Sequence, residues 1–221
     1  MFRGRKSVRP RESGDPEQAT LDSRLRGNER VGIGARLFLL SIALLGFTPA
    51  LADEAGLKAL AEGGRVVMVR HGLTTPGTGD PLGFKLDDCK TQRNLIEEGR
   101  EEARKLGRLL RDKKISIDRV RSSGWCRCIE TAELIGAGKI ETYSPLNNLF
   151  GRPQNRDAQE KELRRFIAEW KGPGNLLLVT HGANMGALMQ INPDTAAGVV
   201  LAPAPDTDAG FKVVGRISPE G

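Results

Sequence analysis

The sequence predicts an α/β domain whose mainly parallel central sheet is flanked by helices on both faces and edged by an antiparallel hairpin. Two observations lead there. Short apolar runs alternate along the chain with segments of helical period. The last two runs, 198–202 and 211–217, are separated only by a polar Pro/Asp turn, which is the pattern of a hairpin.

Each element has its own local signal. Residues 65–70 contain Val-Val-Met-Val and run into Arg70-His71-Gly72, a buried strand that stops at a glycine. A Gly/Pro/Asp-rich loop without periodicity occupies 74–94, and loops of that length in a compact domain are usually functional. A helix is predicted over 95–113, with Ala103, Leu106 and Leu110 on one face, acidic residues in its first turns and lysines at its end. A second strand falls within 115–122, a short helix follows and ends at Gly136, and 140–143 offers a third strand. Over 157–171, Leu163, Phe166, Ile167 and Trp170 make an apolar stripe that Gly172-Pro173-Gly174 terminates. Residues 175–180 form a continuous apolar strand that ends in His181-Gly182 and runs into another helical segment.

The N-terminal quarter reads differently. Residues 1–30 are rich in Arg, Gly, Ser and Pro and have no periodicity, so they read as a disordered extension or a mis-assigned start. Residues 31–52 have a basic flank, an apolar run over 37–47 and an Ala-x-Ala end, the pattern of a signal peptide cleaved after Ala52. That predicts a domain over 53–221, a periplasmic or secreted location, and membrane contact only in transit. The first 52 residues hold nine Lys/Arg and five Asp/Glu, hence four of the six net positive charges. The remaining +2 is no nucleic-acid footprint.

The three cysteines are Cys89, Cys126 and Cys128. Export permits a disulfide, and Cys126 and Cys128 are too close in sequence to pair easily, so Cys89 is expected to bridge one of them. The Cys-x-Cys spacing is a poor zinc signature, and neither a metal nor a cofactor is expected.

His71 and His181 are the only histidines, and each follows an apolar strand and one polar residue and precedes a glycine: VVMVRHG and LLLVTHG. A single such histidine would more often close a strand and bond locally. Two matched ones suggest imidazoles delivered to one crevice at the carboxyl ends of adjacent strands, with Gly72 and Gly182 letting backbone approach a ligand. Arg70 precedes the first, and Arg127 lies near the start of a helix in SSGWCRCIETAEL, a setting suited to an anion.

Together these residues resemble the histidine phosphatase superfamily, also called phosphoglycerate-mutase-like, across roughly 65–187. Arg70-His71-Gly72 matches its Arg-His-Gly. Ser122, Ser123, Arg127, Thr131 and Ala132 match its Ser-Ser-Pro-x-x-Arg-Ala-x-x-Thr-Ala element, with Gly124 and Cys128 differing. His181-Gly182 matches its second His-Gly. The resemblance implies a double displacement in which His71 attacks phosphorus and water later hydrolyses the phosphohistidine. Arg70, Arg127 and a preferably protonated His181 would surround the phosphoryl oxygens.

One departure stands out. Many members place a catalytic Glu where this chain has Asn148, and an amide cannot act as a general acid. Asp80, Asp87 and Asp88 in the long loop are the available carboxylates, each equally readable as a turn former. Thr74, Arg93 and Asn184 are further candidates for contact with phosphate or substrate. The expected function is an exported phosphatase acting on a phosphorylated small molecule or phosphosugar. The alternatives are a protein phosphohistidine phosphatase, whose leaving group needs less acid, and a non-catalytic phosphate binder.

Overall fold

The structure is a computed structural model that describes residues 49–221, with side chains described from Asp53 onward. The expected extension over 1–30 and nearly all of the expected leader over 31–52 lie outside the described residues. Residues 49–52 open the first helix.

Eleven principal elements follow in order: α1 (Pro49–Glu62), β1 (Val66–Arg70), α2 (Glu97–Asp112), β2 (Ile117–Ser122), α3 (Cys126–Ile135), β3 (Ile140–Thr142), α4 (Arg156–Ala168), β4 (Asn175–Thr180), α5 (Gly182–Met189), β5 (Gly198–Ala204) and β6 (Gly210–Ile217). The strands form one sheet in the order β3-β2-β4-β1-β5-β6. Pairing is parallel from β3 through β1, while β5 runs antiparallel to both β1 and β6. The mainly parallel sheet with its antiparallel edge is therefore as the sequence predicts.

Alternation along the strands builds two cores. Val67 and Val69 of β1, with Leu177 and Val179 of β4, face a cluster completed by Leu60 of α1, Leu106 and Leu110 of α2 and Ile135 of α3. Their neighbours Val66, Met68, Leu176 and Leu178 face the opposite side and meet Leu163 and Ile167 of α4 and Met185 and Leu188 of α5. Both faces are thus covered, which is why β1 is apolar over Val66–Val69 and β4 over Leu176–Val179.

Two features depart from the sequence reading. Helix α1 was not anticipated, because its start adjoins the apolar leader. It lies along β6, where Gly56 and Gly215 permit backbone approach: a Cβ on Gly56 would stand 2.0 Å from the Arg216 carbonyl oxygen. The expected helix over 157–171 instead runs from Arg156 to Ala168. Trp170 lies beyond its end and turns its indole N–H to the Gly174 carbonyl oxygen at 3.3 Å.

The site is set by β1 and β4. Their register pairs Arg70 with Thr180, so the residues that follow, His71 and His181, leave the sheet side by side. The His71 backbone N–H donates to the Thr180 carbonyl oxygen at 2.9 Å, extending the ladder one step past the strands.

Candidate active site

Beyond these strand ends lies a cavity of about 190 Å³ lined by Arg70, His71, Arg93, Arg127, Asn148 and His181. Gly77, Thr78 and Gly79 of the long loop, Phe150, Gly182 and Ala183 complete it. It is smaller than a typical drug-sized ligand pocket and suits a phosphoryl group with its leaving group at the mouth. Among the described residues, none of those lining it is a carboxylate.

The rings of His71 and His181 stand 5.3 Å apart, edge to face. His71 is buried, and its Nδ1 lies 2.8 Å from the Gly72 carbonyl oxygen. A carbonyl only accepts, so Nδ1 carries the proton and Nε2 keeps its lone pair. Burial pushes the His71 pKa down to about 3, opposed by the Gly72 hydrogen bond and reinforced by Arg127, Arg70 and Arg93. The ring is therefore neutral across the physiological range, as a nucleophile must be.

His181 is held from both sides. Arg127 Nη2 lies 3.4 Å from its Nδ1, and Ser123 Oγ lies 2.9 Å from its Nε2. A guanidinium only donates, so in the neutral ring Nε2 carries the proton and gives it to Ser123 Oγ, whose hydroxyl faces Asn147 Oδ1 at 3.3 Å. The His181 pKa is lowered by burial first, then by His71 and Arg127. The protonated clamp expected from sequence is thus not the form favoured by the protein's own charges. A bound phosphate dianion supplies the negative charge that would raise it.

The three arginines share one design. Arg70 Nη1 donates to the Pro193 carbonyl oxygen at 2.9 Å, and Arg93 Nη1 donates to the Gly77 carbonyl oxygen. Arg127 Nη1 donates to Asp80 Oδ1 at 2.7 Å, and its Nη2 approaches Asp80 Oδ2 at 3.3 Å. In all three the Nε–H is buried with no acceptor among the described residues. Buried donors left unpaired are costly unless a ligand takes them, and an oxyanion is the matching ligand.

Other expected residues fall elsewhere. Asp80 does not line the cavity; it is the ion-pair partner of Arg127. Burial alone would raise its pKa, but the Arg127 hydrogen bonds and charge outweigh that and leave it below the usual range, unsuited to donating a proton. Asp87 is exposed, and Asp88 caps a short turn by accepting from the Lys90 N–H at 3.1 Å. Thr74 is buried in a bridge with Leu95, outside the lining. Asn184 clamps backbone, donating to the Asn147 carbonyl oxygen at 2.8 Å and accepting from the Leu149 N–H at 3.2 Å. It thereby shapes the segment that presents Asn148 and Phe150.

Gly72 serves packing rather than ligand approach: a Cβ there would stand 2.3 Å from the Gly99 carbonyl oxygen of α2. Its N–H is held by Thr131 Oγ1 at 3.0 Å. Gly182 does line the cavity, at the N-terminus of α5. The sequence reading missed Thr78 and Phe150, which had only loop composition to mark them.

Cys89 is bonded to Cys126, and Cys128 is free and fully buried. The bridge fastens the long loop to the first residue of α3, one position before Arg127. Cys126 N–H also donates to Gln92 Oε1 at 3.0 Å, so loop and helix are joined twice there.

The profile of the histidine phosphatase superfamily (branch 1) matches residues 66–176, and the chain belongs to that family. The family includes hydrolases of phosphoric monoesters, and the chain falls in that enzyme class. Among solved structures, the protein histidine phosphatase SixA complexed with tungstate superposes with a TM-score of 0.50 at 19% identity, covering 70% of this chain and 97% of SixA. The mycobacterial glucosyl-3-phosphoglycerate phosphatase gives a TM-score of 0.51 at 20% identity, covering 70% of this chain and 99% of that one. At these identities the likeness is one of fold. No curated protein matches the sequence.

Proposed function

We propose that the chain is an exported phosphatase that hydrolyses a phosphomonoester through a phosphohistidine on His71. The observation that carries this reading is the lone pair of His71 Nε2 in a cavity bearing three guanidiniums. In the first step Nε2 bonds to phosphorus and the leaving group departs with its bonding electrons. In the second, water attacks phosphorus, the P–N bond breaks and inorganic phosphate leaves. Arg70, Arg93 and Arg127 would hold the oxygens in both steps. With Asp80 set against them, these residues sum to +2, which matches a phosphomonoester dianion.

Export is supported by the sequence of residues 31–52 and by the Cys89–Cys126 bridge, since structural disulfides belong to oxidising compartments. A phosphosugar or another phosphorylated small molecule is the substrate class proposed.

A second reading, protein phosphohistidine phosphatase, is favoured by one feature. Asn148 occupies the wall where a carboxylic acid would stand, and no described lining residue carries one. An imidazole leaving group needs less help from an acid than an alkoxide does. The test uses the chain beginning at Asp53, given an aryl phosphate, an alkyl phosphate and a phosphohistidine peptide, with acid-sensitive phosphate trapped on the protein. Trapping in the wild type and its loss in His71→Ala supports the proposal, and the preferred substrate decides between the readings. A folded protein that binds phosphate but turns over none of the three would be a binder.

A further inference from the structure

The long loop was expected to offer a proton donor in Asp80, yet its carboxylate faces four donors. Oδ1 accepts from Arg127 Nη1 at 2.7 Å and from the Arg93 backbone N–H at 3.1 Å. Oδ2 accepts from the Trp125 indole N–H at 3.0 Å and lies 3.3 Å from Arg127 Nη2. The side chains of Asp80 and Arg127 are 3% and 2% exposed, so neither charge can turn to solvent.

From Asp80 the contacts continue through Arg127 Nη2 to His181 Nδ1, then from His181 Nε2 to Ser123 Oγ, and on to Asn147 Oδ1. A donor on Nδ1 fixes the proton on Nε2, so the orientation of Arg127 sets the tautomer of His181. With both Nη groups turned to Asp80, Arg127 keeps its Nε–H as the buried donor without a protein partner.

We propose that Asp80 is the positioning residue of this site: it holds Arg127 in the orientation that clamps the phosphoryl group and, through Arg127, selects the tautomer of His181. This rests on Arg127 acting as the oxygen clamp of the phosphatase described above. Asp80 touches no reacting atom; it acts through the guanidinium.

Asparagine cannot replace it. All four partners of the carboxylate are donors, so an amide NH₂ would face two N–H groups whichever way it turned. The loop would still be tied to α3 by the Cys89–Cys126 bridge and by Gln92, which leaves Asp80→Asn a means to fold. A guanidinium displaced by about 1 Å is enough to slow phosphoryl transfer on the order of 100-fold.

The experiment is a double-mutant cycle on the full chain, with aryl phosphate as substrate: Asp80→Asn, Arg127→Met and both together, each checked by thermal melting. Asp80→Asn should lower kcat far more than it changes KM. The double variant should be no slower than Arg127→Met alone, because the proposed route from Asp80 to the chemistry runs through that guanidinium and not through its bonds to the Arg93 backbone and the Trp125 indole. Losses that multiply, or an Asp80→Asn enzyme with wild-type kcat, would overturn the proposal. Asp80→Glu, which keeps the charge, should recover part of the lost rate and serves if the asparagine variant does not fold.

A second reading needs no turnover. Nitrogen NMR of the two ¹⁵N-labelled histidines should show His181 protonated on Nε2 in the wild type and a tautomer mixture in Asp80→Asn. An unchanged His181 spectrum would overturn the positioning role. A wild type with the expected tautomer but no turnover would overturn the phosphatase reading instead.

Discussion

The Nδ1 of His71 lies 2.8 Å from the carbonyl oxygen of its neighbour Gly72, and this one bond decides which nitrogen is free to attack. Burial, working against that same bond, keeps the resting ring uncharged in the folded state.

Stability should therefore fall in acid. The folded pKa of His71, about 3, lies below its ordinary value of 6.5, so the unfolded chain binds more protons throughout that window. Stability is intact above pH 6.5 and drains away as pH falls toward 3, by up to about 5 kcal/mol from this residue. His181 shifts in the same direction and adds to the effect. Urea midpoints at pH 7 and pH 4 measure the slope, and His71→Asn should flatten it.

Asn148→Glu should widen the substrate range. It places a carboxyl in the cavity wall where no lining residue carries one. General-acid help is worth about 100-fold or more where the leaving group is poor. The ratio of kcat/KM on an alkyl phosphate to that on an aryl phosphate should rise about tenfold or more. An unchanged ratio would show that leaving-group protonation does not limit the enzyme.

The two glycines that follow the histidines should respond oppositely to alanine. In Gly72→Ala the new methyl collides with α2 backbone at 2.3 Å, so stability should drop by about 3 kcal/mol or more and melting should report it. In Gly182→Ala the nearest atom is Arg70 Nε at 3.5 Å, an ordinary contact, and the helix gains a better former. That variant should melt no lower than wild type but bind inorganic phosphate more weakly, as calorimetry can measure.

Reduction of the Cys89–Cys126 bridge should cost stability and activity together. The bridged cysteines are 37 positions apart, for which the chain-entropy argument gives about 3–4 kcal/mol. The native oxidised protein should resist thiol labelling, because burial pushes the Cys128 pKa up to about 12. Denaturant midpoints with and without dithiothreitol, beside aryl phosphate turnover, check both effects.

Much of this was legible in the sequence where the signal is local. Val66 to Val69 and Leu176 to Val179 announce buried strands by composition, and the His-Gly that follows each one marks a strand end. The register that sets His71 beside His181 needs only that β1 and β4 be neighbours. What stayed hidden depends on partners distant in the chain. Asp80 looks like a turn former until it meets Arg127, 47 positions away, and Asn184 looks like a ligand until it meets the 147–149 backbone, about 35 positions away. Cys89 could be paired with either later cysteine on spacing alone. The purpose of Gly72 depends on Gly99, whose only sequence mark is its place among the charges that open α2.

The shared register of β1 and β4 has an evolutionary corollary. His71 and His181 are held at the end of the sheet ladder, whereas 77–79, Asn148 and Phe150 line the same cavity from loops. Neither segment belongs to that ladder. The domain is thus a fixed phosphoryl-transfer engine with interchangeable mouthparts, and grafting loops between relatives is the natural route to retargeting it.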